Sequence, residues 1–372
     1  MSRAVAERLA RLVGAAGLDA LVCLSPENVA YAAGFVVPSQ PIMRWRHAGY
    51  VLTPGGADAM LCVDMEESTV RAARPELTLA VWAEFTGNAM TSLAALLTSL
   101  GLERSVVGFE LRYLSAQDRD HLVELLPGLR IAAADDLLTT ARAIKTEPEQ
   151  LLLERLSRIS DRSIAAALTS VRAGDTELDI AAAMTRSLYE QGAQQFKLMI
   201  VATGERSQLP NVGPTERILR PLDVCRVEIF AVIDGYHAGV CRTAVVGEPP
   251  PAAERVYQNL VKCQAAVLHA MSPGTPTAAV YDVFRQTFDE LGMPPITFVG
   301  HSIGVNLHEA PYLGPHDTGV LETGMVLGME PLVYRSGFGF GMQIKDMVLI
   351  EDDGARLLSD VTDTSQLLVV EA

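Results

Sequence analysis

Two histidines and a glutamate stand in glycine-framed segments late in the chain. His301 and His308 lie in GHSIGVNLHEAPY, Gly300–Tyr312, and Glu330 lies in GMVLGMEP, Gly324–Pro331. An imidazole exchanges protons near neutral pH and a neighbouring carboxylate tunes that exchange, so such a pair can move protons without a cofactor. Earlier, the strand-like GYHAGVCRTAVVG spaces His237, Gly239 and Cys241 two residues apart, which puts them on one face of a strand. If that face lines a pocket, His237 and Cys241 join the constellation; otherwise His237 belongs to its rim and Cys241 is a small buried residue.

Elements that could position these groups are readable. Asp234-Gly235 separates the β runs of DVCRVEIFAVIDGYHAGVCRTAVVG, a strong hairpin signal. Thr146-Glu147-Pro148-Glu149 is a capping box that launches a helix with Leu152, Leu156 and Ile159 on one face, and Thr176–Asp179 opens a second helix that stops near Gly192. With strand-like KLMIVATG before the hairpin and a helix near Ala252–Met271 after it, the pattern predicts helices outside a curved antiparallel sheet, an α+β arrangement. The first 135 residues alternate instead: a helix near Val5–Ala16, then β-like LDALVCLS, YVLTP and DAMLCVD, an α/β pattern. The expected division is 1–135 and 146–372, with 136–145 as connection.

Composition narrows the function classes. A chain of 372 residues with 49% hydrophobic content can bury two ordinary cores. A net charge of -15 without a long Lys/Arg run argues against nucleic-acid or anionic-membrane binding and favours a small-molecule substrate. No apolar run approaches the roughly 20 residues of a membrane span. Five cysteines without a CxxC pair suggest neither a disulfide framework nor structural zinc, and a reducing cytoplasm fits best. Arg3, Arg8 and Arg11 are interleaved with apolar residues and with Glu7, which reads as an amphipathic first helix and not a transit sequence.

The runs IKTEPEQLLLERLSRISDRSI, LRPLDVCRVEIFAVIDGYHAGVCRT and the segments after Gly300 resemble the pita-bread family of methionine aminopeptidase, Xaa-Pro dipeptidase and creatinase. The resemblance covers Ala143 to the C-terminus, and residues 1–135 resemble the smaller N-terminal domain of the dipeptidase and creatinase branches. It implies a C-terminal pita-bread domain and a five-ligand metal site: two hairpin aspartates, one histidine and two glutamates. The corresponding residues here are Glu228, Gly239, His301, Glu330 and Lys345, the last in GMQIKD where the family pattern reads RIED. Two carboxylates and one ammonium leave the pocket near -1 instead of -4. A dication about 5 Å from that ammonium is opposed by several kcal/mol at an effective dielectric of about 20. The expectation is therefore no metal and no cofactor, with Lys345 holding the carboxylates; a three-ligand site of Glu228, His301 and Glu330 remains the alternative if Lys345 turns away.

The resemblance also marks departures. Asn211, in LPNVGPTER, stands where the peptidases and creatinase carry a histidine, and asparagine cannot exchange a proton near pH 7. Phe230 replaces a glycine, either repacking the strand or narrowing the pocket. His308 matches the second family histidine, Arg46 matches a substrate-carboxylate arginine of creatinase, and Tyr312 stands where creatinase has a further arginine. The leading expectation is a metal-independent, creatinase-like homodimeric enzyme that hydrolyses a C–N bond, or cleaves it by related lyase chemistry, in a small polar or zwitterionic metabolite. His301, His308, Glu228, Glu330 and Lys345 are its catalytic candidates; Arg46, Asn211, His237, Phe230, Tyr312 and Cys241 are its binding candidates. Alternatives are a noncatalytic paralogue used for binding or assembly, and an Xaa-Pro peptidase-like metallohydrolase with an altered single-metal site.

Overall fold

The computed structural model describes residues 3–294 and 296–372. The chain divides into two compact units, Met1–Arg142 and Ala143–Ala372. In the first, strands β1 (Ala20–Cys23), β2 (Gly49–Leu52), β3 (Asp58–Val63), β4 (Thr78–Trp82), β5 (Val106–Phe109) and β6 (Arg130–Ala133) form one mixed sheet ordered β4-β3-β2-β1-β5-β6. The α/β alternation of the sequence thus becomes a sheet with its own core, where Val22, Leu61, Leu93, Val107 and Leu122 pack together. The stretch expected to be connection is mostly helix, Asp135–Ala143, because Leu138 and Ala141 fall on a buried face and Asp135 and Asp136 favour its first turn.

The second unit contains β7 (Gln195–Thr203), β8 (Val224–Ile233), β9 (Tyr236–Val246), β10 (Gly300–Ser302), β11 (Glu309–Leu313), β12 (Val326–Met329), β13 (Leu332–Val333), β14 (Met342–Gln343), β15 (Asp346–Glu351), β16 (Gly354–Leu357) and β17 (Leu368–Val370). They form sheets ordered β17-β9-β8-β7 and β11-β10-β12-β15-β16, plus the β13-β14 pair. A two-way backbone bridge between Cys241 and Lys345 couples the two larger sheets, with N···O distances of 3.2 and 3.1 Å. Long helices Glu147–Ser170 and Pro251–Ala270 pack on this assembly, giving the expected α+β pita-bread unit.

Local chemistry explains the elements that carry the site. Asp234 and Gly235 have φ of 51° and 81°, the left-handed pair of a tight hairpin turn, and this fixes the β8/β9 register. In the Thr146 capping box the Glu149 carboxylate accepts from Thr146 N at 2.8 Å, while its other oxygen accepts from the Tyr236 hydroxyl at 2.8 Å. The helix start is thereby tied to the hairpin.

Candidate active site

The hairpin register sets the floor of the site. Glu228 faces Cys241 across the β8/β9 pair, and Phe230 faces Gly239, so all four project to one side. A Cβ placed on Gly239 would lie inside the Phe230 ring, so the phenyl group occupies the space above the glycine. Lys345 Nζ stands 4.6 Å from the centroid of that ring. Gly328 on β12 leaves room for the lysine stem, since a Cβ there would come within 3.1 Å of Lys345 Cε.

Three acceptors surround the ammonium. Lys345 Nζ lies 3.2 Å from Glu228 Oε1, 3.0 Å from Glu330 Oε2 and 3.3 Å from His301 Nε2, matching its three N–H donors. His301 Nδ1 lies 2.9 Å from the Ser302 carbonyl, and its Nε2 lies 3.3 Å from both Lys345 Nζ and Glu330 Oε1, so the ring joins the ammonium and the carboxylate. Burial works against the Lys345 charge, but the Glu330 and Glu228 carboxylates outweigh it and raise its pKa above the usual lysine value. Burial likewise opposes the Glu330 anion, and the ammonium and His301 outweigh it, bringing the carboxyl down to about 2. Gln343 Nε2 donates to Glu330 Oε2 at 3.1 Å and is itself fixed by Arg226 through Gln343 Oε1 at 3.0 Å.

The remaining candidates distribute unevenly. His308 stacks on His301 with ring centroids 3.9 Å apart and keeps an exposed edge. Partial burial and the neighbouring His301 and Lys345 lower its pKa to about 4, so the ring is neutral at pH 7. Tyr312 is the cross-strand partner of His301 and is exposed. Cys241 is fully buried, and burial and Glu228 push its thiol up, so it holds its proton and has no exposed surface to offer a substrate. His237 is buried against the Gly304 carbonyl, which accepts from His237 N at 2.8 Å and lies 3.2 Å from Nδ1. Asn211 is exposed on a loop whose Leu209 and Pro210 carbonyls accept from Arg226. Arg46 belongs to the first unit and is pinned to Glu84 at 2.7 Å.

Sequence reasoning overlooked the groups that hold this centre. Arg242, next to Cys241, donates to the Lys345 carbonyl at 2.8 Å and to Asp346 Oδ1 at 2.8 Å, and clasps Asp161 through two bonds of 3.0 Å. The available signals were a charged Asp161 among the apolar residues of its helix and the charged pair Lys345-Asp346 entering the apolar run MVLI.

The two units, the coupled curved sheets and the histidine–carboxylate cluster define a prolidase-type hydrolase fold. The chain belongs to metallopeptidase family M24, whose model matches residues 152–352, and the creatinase/prolidase N-terminal domain matches residues 6–144. It is 26% identical to the Xaa-Pro dipeptidase of Pyrococcus furiosus over 95% of this chain and 97% of that one. Among solved structures it resembles the prolidase of Thermococcus sibiricus, with TM-score 0.87, 22% identity and full coverage of both chains. It also resembles dipeptidase PepE of Mycobacterium ulcerans, with TM-score 0.83, 24% identity and coverage of 99% and 98%.

These relatives correct the leading functional expectation. A metal-independent, creatinase-like C–N hydrolase is overturned by membership in a metallopeptidase family and by full-length similarity to an Xaa-Pro dipeptidase. That expectation weighted a few altered ligand positions above the rest of the chain. Membership nevertheless leaves a physical test for the metals that the family implies. With glycine at 239 and an ammonium among Glu228, Glu330 and His301, the donors do not fit a pair of dications. Among the described residues no group of three or more His, Cys, Asp or Glu side chains is arranged to hold a metal ion.

Proposed function

We propose that the protein is a prolidase-type hydrolase of short peptides with an altered centre, in which Glu228, His301 and Glu330 are the surviving donors, held by Lys345 as they stand and enough for one metal at most once its ammonium turns away. The observation that carries this reading is their convergence on a single point, the position of Lys345 Nζ, beneath the exposed edge of His308. The chain's own side chains supply recognition at that point. The pair of carboxylates and one ammonium leave a net charge of -1, which favours the cationic amino terminus of a dipeptide. Neutral His308 offers one donor and one acceptor to a peptide group at the mouth. Phe230 narrows the floor and restricts the reading to small substrates.

The test is an assay of Xaa-Pro dipeptides, with and without added Mn²⁺, Co²⁺ or Zn²⁺, alongside elemental analysis of protein purified without chelator. Proline release with no more than one equivalent of metal is expected. Two equivalents would overturn the altered centre, and a panel left uncleaved would overturn the peptidase. A second reading, a noncatalytic paralogue that binds short peptides, is favoured by the Phe230 ring over Gly239 and the Lys345–Glu228 pair. Calorimetric binding of a dipeptide without cleavage distinguishes it.

The proposal includes a homodimer, checked by sedimentation, and a reducing compartment, which suits five buried free thiols. Among the described residues no helix is long and apolar enough to cross a membrane.

A further inference from the structure

A second buried ammonium lies next to the residues that follow the two histidines. Lys145, immediately before the Thr146 capping box, donates from Nζ to Ser302 Oγ at 2.9 Å and to Glu309 Oε2 at 3.3 Å. Ser302 follows His301, and Glu309 follows His308. Ser302 and Glu309 are cross-strand partners at the place where the β10/β11 register shifts between His301 and Ser302. One cation therefore touches the neighbour of each stacked ring.

The clasp is fixed on every side. Lys145 N donates to the Gly324 carbonyl at 2.9 Å, and the Lys145 carbonyl accepts from Gln150 Nε2 at 2.9 Å. Ser302 Oγ donates onward to the Val326 carbonyl at 3.1 Å, and Glu309 Oε1 accepts from Asn306 N at 3.1 Å. Asn306 belongs to the loop that delivers His308. Successive residues of a strand point to opposite faces, so Ser302 and Lys145 lie behind the strand whose front carries His301. A register shift is a weak point of a ladder, because one pairing step is irregular there. A charge clamp at that step supplies the restraint that the ladder lacks.

We propose that Lys145 is a positioning residue: through Ser302 and Glu309 it sets the spacing of His301 and His308 and thereby the stack at the mouth of the site. It touches neither ring. The inference rests on the proposed role of these histidines, but its first readout does not require activity.

Removing the ammonium alone would take a cation from the buried Glu309 carboxylate, so K145M is paired with K145M/E309Q, which removes both charges at similar volume. The full chain is labelled at histidine, and ring-to-ring nuclear Overhauser contacts and ring-current shifts are recorded. L153A, a buried change in the following helix, is the control for lost stability alone. The expected result is at least a twofold weaker His301–His308 contact in the folded double variant, none in L153A, and at least a tenfold lower kcat with KM within threefold. Unchanged ring signals in folded K145M/E309Q would overturn the positioning role. A lost stack with unchanged peptide turnover would leave the positioning intact and sink the catalytic reading of the histidines, which keeps the two failures distinct.

Discussion

Lys345 and Asp346 are neighbours in sequence and belong to two buried charge clusters with the same sum and different fates. Lys345 with Glu228 and Glu330 totals -1, and so does Arg242 with Asp161 and Asp346. The Arg242 cluster is wrapped: Asp161 also accepts from Val361 N, Thr362 N and Thr362 Oγ1, and Asp346 accepts from Ser359 Oγ and Gln264 Nε2. The Lys345 cluster is lean, with Gln343 as the added donor on Glu330 and an exposed histidine stacked over His301. Spare acceptor capacity, not net charge, distinguishes the cluster proposed as the centre from the scaffold.

The largest expected effect breaks the wrapped cluster. R242M strands two buried carboxylates and should cost roughly 3–5 kcal/mol, read as a lower urea midpoint. An R242M protein as stable as the parent would refute the contrast. K345M should lose less in the presence of divalent cations, because its vacated donors become available. At a concentration about a hundredfold above Kd, Mn²⁺ or Zn²⁺ should raise its Tm by about 5 °C, more than they raise that of the parent. Equal shifts in both proteins would show that Lys345 does not guard the donors.

The pH dependence sharpens the same comparison. Burial lowers the His237 pKa from 6.5 to about 4, with the Gly304 carbonyl opposing. A depressed pKa means that the folded state binds its proton later, so stability is complete above pH 6.5 and falls as pH drops toward 4. The loss should be on the order of 3 kcal/mol. H237Q should flatten that part of the stability profile, and an unchanged profile would assign the loss elsewhere. Glu330 acts lower, between its ordinary range and about 2. The smallest effect belongs to packing on the floor: G239A should cost about 1–3 kcal/mol by pressing on Phe230, and F230A/G239A should recover part of the overlap. Calorimetric Tm values for the pair check this.

Local rules make the scaffold legible. Asp234-Gly235 and the Thr146 and Thr176 boxes depend on residues within a turn of one another, and each takes its expected form. The place of Lys345 among Glu228, Glu330 and His301 is legible too, because the family pattern supplies the alignment. The supports are not: Lys145–Glu309 and Arg242–Asp346 join residues 164 and 104 positions apart, and no spacing rule reaches that far. Strand alternation leaves His237 open between pocket and rim, and the Gly304 carbonyl buries it instead. Substrate-level function misreads for a different reason, since a few altered ligands outweigh a chain-long likeness when motifs are taken one at a time.

The Phe230 ring over Gly239 also constrains the sequences open to this chain. A carboxylate side chain at 239 and a phenyl ring at 230 claim the same volume, so the two positions are coupled. G239D alone meets the ring, and a carboxylate fits only after position 230 is emptied. A hairpin carboxylate at 239 therefore lies at least two coordinated substitutions away, which a library varying positions 230 and 239 together would expose as tolerance of aspartate only beside small residues.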